Sequence, residues 1–457
     1  MRVRQRRGWI AAGAVCALAA IGSVAATQPA APEVTFTDTK LKNGLRVIIA
    51  EDHTAPVFSI AVNYNVGSRD ERKGRTGFAH LFEHMMFKGS ENVGPGEHFT
   101  LIYNNGGNMN GTTNKDRTLY FETLPANQLD LALFLEADRM RSLDITRENL
   151  DNQRNAVQEE RRLRVDNQPY GKTFEAVDSL AYENFAYEHS VIGSMEDLGA
   201  ATVQDVADFF KIYYAPNNAV LSIVGDVKAE DALARVRKHF QSIPSQDPPK
   251  PVDMTEPPQK EERRLTIDDP LAKLPRIDMV FKIPPAGSPD EDALSVLATV
   301  LSGGRSSRFY EQIVRQQQLA PSAFASAGIS RGPGLFRVVA TAAPGKAIGD
   351  LEQALLAEIE KVKTGEVADW EMQKARTAAR SSFISSLQSS LSRAIILTEY
   401  ALSYDDPGRL NDRASKIAAV TDADVQRVAR TYLTPGNRTV VITNPKPSST
   451  SSDQGGL

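Results

Sequence analysis

Hydrophobic and polar residues alternate along two short stretches of the chain. Phe58, Ile60, Val62, Tyr64 and Val66 are separated by Ser59, Ala61, Asn63 and Asn65, the period of two expected for a strand with one buried face. Ile277, Met279, Phe281 and Ile283 repeat the alternation in the second half. Apolar strands are also predicted at Ala219–Val224 and Thr439–Thr443, and an amphipathic helix at Ala293–Leu301. Strands and helices are mixed and the alternation is strong. The pattern therefore predicts an α+β protein, with mostly antiparallel sheets covered on one face by helices.

The pattern occurs twice. Thr202, Asp205, Val206, Tyr213, Pro216 and Asn218 recur without a gap, 219 residues later, as Thr421, Asp424, Val425, Tyr432, Pro435 and Asn437. Each copy runs from a helix-like stretch through Tyr-x-x-Pro into an apolar strand. Gly67-Ser68-x-Asp70-Glu71 returns 220 residues later as Gly287-Ser288-x-Asp290-Glu291. Agreement at both ends of a unit of roughly 200 residues marks an internal duplication. Between the copies, Pro244, Pro248, Pro249, Pro251, Pro257 and Pro258 predict an extended, semi-rigid linker. The expected domains are thus residues 37–242 and 263–445, joined by a linker over 243–262. Residues 446–457, rich in Ser, Pro and Gly, read as a disordered tail.

Composition narrows the class. The 457 residues are 41% hydrophobic and 24% charged, which excludes wholesale disorder and a polytopic membrane protein. A net charge of −4 gives no electrostatic footprint for nucleic acid. Arg2, Arg4, Arg6 and Arg7 precede an apolar run from Trp9 to Ala26, with small residues at Ser23, Ala25 and Ala26. Residues 1–26 read as a cleaved export signal. Its removal takes the balance from −4 to −8, discards Cys16, the one cysteine, and leaves no membrane span in the mature chain. A periplasmic location is expected, with cores held by packing alone and no disulfides.

The candidate chemistry begins at His80-Leu81-Phe82-Glu83-His84. On a helix, histidines four apart share one face and can hold one metal ion. Glu83, beside that face, can take a proton from a water on the metal; this is the inverted zincin order. The flanking Phe78, Leu81, Phe82, Met85, Met86 and Phe87 predict a buried helix, where unpaired polar groups are costly. Catalytic zinc needs a third ligand. The helix-like stretch Leu150–Asp166 offers Glu159 and Glu160. At 100° per residue Glu160 falls among Ala156, Val157 and Leu163, and Glu159 points away, so Glu160 is the expected ligand. A 220-residue shift puts Val300, Gly303 and Gly304 opposite His80, Glu83 and His84, and Arg380 opposite Glu160. The second domain is expected to lack a metal site.

These motifs resemble those of the pitrilysin-type zinc peptidases, the family that includes the mitochondrial processing peptidase. The resemblance rests on His-x-x-Glu-His, a glutamate 76 residues later, and Gly106-Gly107-x-x-Asn110-Gly-x-Thr113 followed by Thr118-x-Tyr120. It implies Zn²⁺ held by His80, His84 and Glu160, with Glu83 as base. It also implies a strand near Asn108, Asn110 and Thr113 against which an extended peptide pairs. Two positions depart from the pattern. Gln153 stands where many members carry a second glutamate, and is expected to orient a ligand by hydrogen bonding. Arg315 matches an arginine that such active sites borrow from a second-half domain, but its tyrosine companion is replaced by Ser322. The resemblance thus implies an exported zinc endopeptidase acting as a homodimer, or as a heterodimer whose homologous subunit supplies an Arg/Tyr pair. The alternative it carries is a non-catalytic structural or partner subunit. His53, His98, His189 and His239 are read as surface or internally satisfied histidines.

Overall fold

The computed structural model describes residues 33–446. Strands β1 (Thr37–Lys40), β2 (Arg46–Glu51), β3 (Val57–Tyr64), β4 (Asn108–Thr113), β5 (Thr118–Pro125) and β6 (Ala219–Gly225) form a sheet in the order β1-β2-β6-β3-β5-β4. Strands β7 (Arg263–Asp269), β8 (Arg276–Ile283), β9 (Ala323–Gly328), β10 (Gly334–Thr341) and β11 (Arg438–Pro445) form a second sheet, β7-β11-β8-β10-β9. Neighbours are antiparallel except β2–β6 and β7–β11. The second sheet therefore reproduces the first without β1, and the α+β fold with mostly antiparallel sheets is as the alternation predicted.

The duplicated residues do the same work in each copy. Thr202 and Asp205, like Thr421 and Asp424, form reciprocal caps at a helix start, satisfying N–H groups that have no partner inside the helix. Asn218 Nδ2 donates to the Tyr213 carbonyl at 2.8 Å, and Asn437 Nδ2 to the Tyr432 carbonyl at 2.7 Å, closing the turn into β6 and β11.

The strands depart from expectation in one respect: β3 is buried on both faces, not one. Its inner face packs into the first core with Phe58, Ile60 and Val62. Its outer face is covered by the helix Ser390–Tyr404 from the second half, whose Ala394, Leu397 and Ala401 meet Ala61, Val220 and Val224. Ser59 Oγ lies 2.9 Å from Ser390 Oγ, and Asn63 Nδ2 donates to Thr398 Oγ1 at 3.2 Å. The exchange is reciprocal. From the first half, the helix Gly171–Ala181 lays Val177 and Ala181 on Val280, Leu335 and Val441 of the second sheet.

Residues 244–262 contain no helix or strand. They run against the second sheet's outer cluster through Val252 and Met254. No helix among the described residues is long and apolar enough to cross a membrane. The expected export signal and most of the expected tail lie outside the described residues.

Candidate metal centre

The site begins at α1 (Phe78–Met85). Phe78, Ala79, Leu81, Phe82 and Met85 are buried on its apolar side, and it packs against β4 and α2 (Arg147–Arg161). Glu71 fixes its start: the carboxylate accepts the Gly77 N–H at 2.9 Å and the Ala79 N–H at 2.8 Å. His189 Nε2 lies 2.9 Å from Glu71 Oε2, and its Nδ1 lies 2.7 Å from the Phe185 carbonyl. With one ring nitrogen on a carbonyl and the other on a carboxylate, the ring is suited to imidazolium, and its pKa is raised through Glu71 against the opposing effect of burial. Glu71 belongs to the duplicated Gly-Ser-x-Asp-Glu motif. That repetition was the signal available in the sequence, although nothing there gave its role.

On α2 the inward residues are Leu150, Gln153 and Val157, and Glu160 follows on that face. Two residues used to define the face, Ala156 and Leu163, are in fact exposed. They flank the buried stripe on one side, and at 162–166 the helix widens into a π turn. Glu160 is nevertheless the inward carboxylate. Glu159 is exposed and pairs with Arg162 at 3.0 Å.

His80, His84 and Glu160 come together. Glu160 Oε2 lies 3.5 Å from His80 Nε2 and 3.3 Å from His84 Nε2, and one ligand atom from each lies within 4.8 Å of the others. Burial pushes the His80 pKa down to about 4, His84 adding to the effect and Glu160 opposing it, so the ring is neutral with a lone pair to donate. The Glu160 carboxyl is lowered, chiefly by its bond to His84. Its other oxygen, Oε1, takes Arg164 Nη1 at 2.8 Å. Two imidazole nitrogens and one ionised carboxylate oxygen, aimed at one point, are the donor set of a catalytic zinc with an open fourth position. The residues present fit that ion.

Glu83 is buried beside them. Burial raises its pKa, and the hydrogen bond from Thr113 opposes the rise. Thr113 Oγ1 donates to Glu83 Oε2 at 2.6 Å; among the described residues nothing donates to Oε1. Asn108 and Asn110 are exposed on β4, and Asn110 Oδ1 accepts the Gly111 N–H at 2.9 Å. β4 is the end strand of its sheet, so its outer edge has main-chain groups without a neighbouring strand.

One expected contact is not made. Gln153 Nε2 donates to Asn152 Oδ1 at 2.5 Å and not to a ligand, while His80 Nδ1 is buried without a partner. Arg315 is exposed and pairs with Glu311 at 2.5 Å.

A second buried cluster escaped the sequence reading. His98 Nε2 lies 2.7 Å from Glu122 Oε1, and both Glu136 oxygens are held by Arg139. His98, Glu122 and Glu136 also bring ligand atoms within 4.8 Å of one another, but Arg139 already supplies the positive charge. The i, i+3 pair Glu136–Arg139 was visible; its burial was not. Among the described residues, no such cluster of His and carboxylates lies in the second half.

Comparison with known proteins follows this division. Residues 46–194 match the family described as insulinase (peptidase family M16), and residues 200–379 the peptidase M16 inactive domain. The chain is 32% identical to the zinc protease PqqE of Helicobacter pylori, over 89% of this chain and 92% of that protein. It is 27% identical to a probable mitochondrial-processing peptidase subunit beta of Arabidopsis thaliana, over 88% of this chain and 77% of that one. The crystal structure of a protease from Helicobacter pylori superposes with a TM-score of 0.87 at 31% identity, covering 90% of this chain and 100% of that chain.

Proposed function

The chain belongs to peptidase family M16, and from that premise we propose that it is an exported zinc endopeptidase that hydrolyses unfolded or extended peptides. The observation that carries this reading is the convergence of His80 Nε2, His84 Nε2 and Glu160 Oε2, with the Glu83 carboxylate buried alongside.

When bound, zinc supplies Lewis acidity to the scissile carbonyl and to the attacking water. Glu83 Oε1 accepts the water's proton and returns it to the leaving amine nitrogen. Glu83 Oε2 stays on the Thr113 hydroxyl, so the carboxylate does not have to reorient between the two transfers. The open edge of β4 pairs with the main chain of an extended peptide, which selects for unfolded segments over folded ones. Export is proposed from the N-terminal segment. Ser322 leaves this chain without the phenol of the Arg/Tyr pair; in the second reading below, a homologous subunit supplies it.

The test is cleavage of a mixture of unstructured peptides by the purified chain lacking residues 1–26, with metal analysis alongside. Wild type should cut, and Glu83→Gln should not, although it retains zinc. Glu160→Gln should lose zinc; Glu159→Gln should keep it. Full activity in Glu83→Gln, or full zinc content in Glu160→Gln, overturns the assignment. Zinc-loaded protein that cuts nothing favours the second reading, a subunit dependent on a partner, the reading suggested by Ser322.

A further inference from the structure

We propose that Thr113 is a positioning residue for Glu83, and that β4 holds the base and the peptide as one rigid part. The inference rests on the reading of Glu83 as the base, and it assigns Thr113 a different role from contact with substrate.

A carboxylate oxygen only accepts, so the 2.6 Å contact places the Thr113 proton on Glu83 Oε2. The competing acceptor, Thr118 Oγ1, lies at 3.4 Å and gives its own proton to the Val66 carbonyl. A short hydrogen bond to an ionised group is the stronger of the two. Strand alternation sorts the remaining roles. Met109, Gly111 and Thr113 share one face, which lies against α1, whereas Asn108 and Asn110 are exposed on the other. A peptide adding to the open edge uses main-chain groups in the plane of the sheet, and the Thr113 hydroxyl is not among them.

Gly111, two residues earlier on the same face, supplies the second restraint. A Cβ there would lie 3.0 Å from both Glu83 Cγ and Oε1, and 3.3 Å from Cδ. The base is therefore packed against bare backbone at one inward position and hydrogen-bonded at the next. General-base catalysis depends on placing the accepting oxygen to within tenths of an ångström. The strand that sets the register of the scissile bond also fixes the atom that acts on its water.

The experiment compares Thr113→Val, which keeps the shape and removes the hydroxyl, with Thr113→Ser, which keeps the hydroxyl. For zinc-loaded protein cutting one fluorogenic peptide, Thr113→Val should lower kcat roughly 10- to 100-fold and leave KM within about twofold, a pattern expected when uniform binding is untouched. Thr113→Ser should restore most of the rate. In a Glu83→Gln background, Thr113→Val should leave the Kd of an uncleaved labelled peptide, read by anisotropy, unchanged. A raised KM or weakened Kd with kcat intact would make Thr113 a substrate contact and overturn the proposal, as would an unchanged kcat. If Thr113→Val does not fold, Gly111→Ala probes the same restraint and should lower kcat with the hydroxyl present; an unaltered kcat there also overturns it. Failure of the base assignment is separate, because it appears as activity in Glu83→Gln alone.

Discussion

Glu122 and Glu136 share a buried site with one guanidinium, so they cannot both be ionised cheaply. Glu122 Oε2 has no hydrogen-bond partner, His98 is held neutral with its pKa pushed down to about 3 by burial, and Arg139 is left as the cation of the group. Burial pushes the Glu136 pKa up from an ordinary 4.5 to about 7, and Glu122 is raised by the same cause. Between those values the folded state holds a proton that the unfolded chain has released. Stability from this group is thus complete below pH 4.5 and is lost as pH rises through 7, by on the order of 3 kcal/mol. Glu136→Gln removes the titrating group itself, so urea unfolding of that variant should show little of the decline between pH 5 and 8. A slope equal to wild type would place the proton elsewhere. The sequence marked none of this, because an i, i+3 Glu–Arg pair is ordinarily a solvated one. By contrast, His80, Glu83 and His84 were legible, since their spacing alone puts them on one side of one helix turn.

At the scale of an element, the start of α1 shows what local sequence leaves open. The N-cap Gly77 has φ +84, and a Cβ there would lie 2.6 Å from the Ile192 carbonyl oxygen and 2.9 Å from Gly193 Cα. Gly74, three residues earlier, has φ +79 with nothing within 4 Å. Alanine at either position carries the left-handed penalty of about 1–2 kcal/mol, but only Gly77→Ala also forces the 192–193 backbone away. Thermal melts should therefore show Gly77→Ala destabilised well beyond Gly74→Ala. Equal shifts would mean that the approach of these loops is easily relaxed. Helix α1 itself was predictable from its apolar side. The partners that cap it, Glu71 and His189, come from six residues before Gly77 and from more than a hundred residues after it, and no periodicity links those positions.

At the scale of the molecule, each sheet depends on a helix from the other half. Without the helix Ser390–Tyr404, the outer face of the first sheet would expose Ile48, Ala61, Val220 and Val224, all buried here. An apolar face of that kind does not remain bare in water. Residues 33–262 expressed alone should consequently aggregate or remain poorly folded, whereas co-expression with residues 263–446 should yield a soluble complex of the two. Size-exclusion chromatography and circular dichroism would check it, and a stable, monomeric first half would show that the exchanged helix is dispensable. The duplication made two similar folds visible in the sequence. It could not show that they share their covering helices, since alternation reports that a face is apolar or polar and not which segment covers it.

What the sequence determined by itself was local and periodic: the two sheets, the repeated Thr-x-x-Asp and Tyr-x-x-Pro segments, and the placing of His80, Glu83 and His84 on one side of a helix. Each depends on neighbours within a few turns or on a repeat copied along the chain, and such regularities survive without coordinates. Tertiary structure decided the rest. It buried Ser59 and Asn63 of an apparently half-exposed strand, and left Ala156 and Leu163 exposed beside the stripe that carries Glu160. It also brought the Thr113 hydroxyl to Glu83 across thirty residues. These outcomes depend on which distant surfaces meet. The free energy of such a meeting comes from close packing and from satisfying buried polar groups, and neither is written in the spacing of residues along one strand or helix.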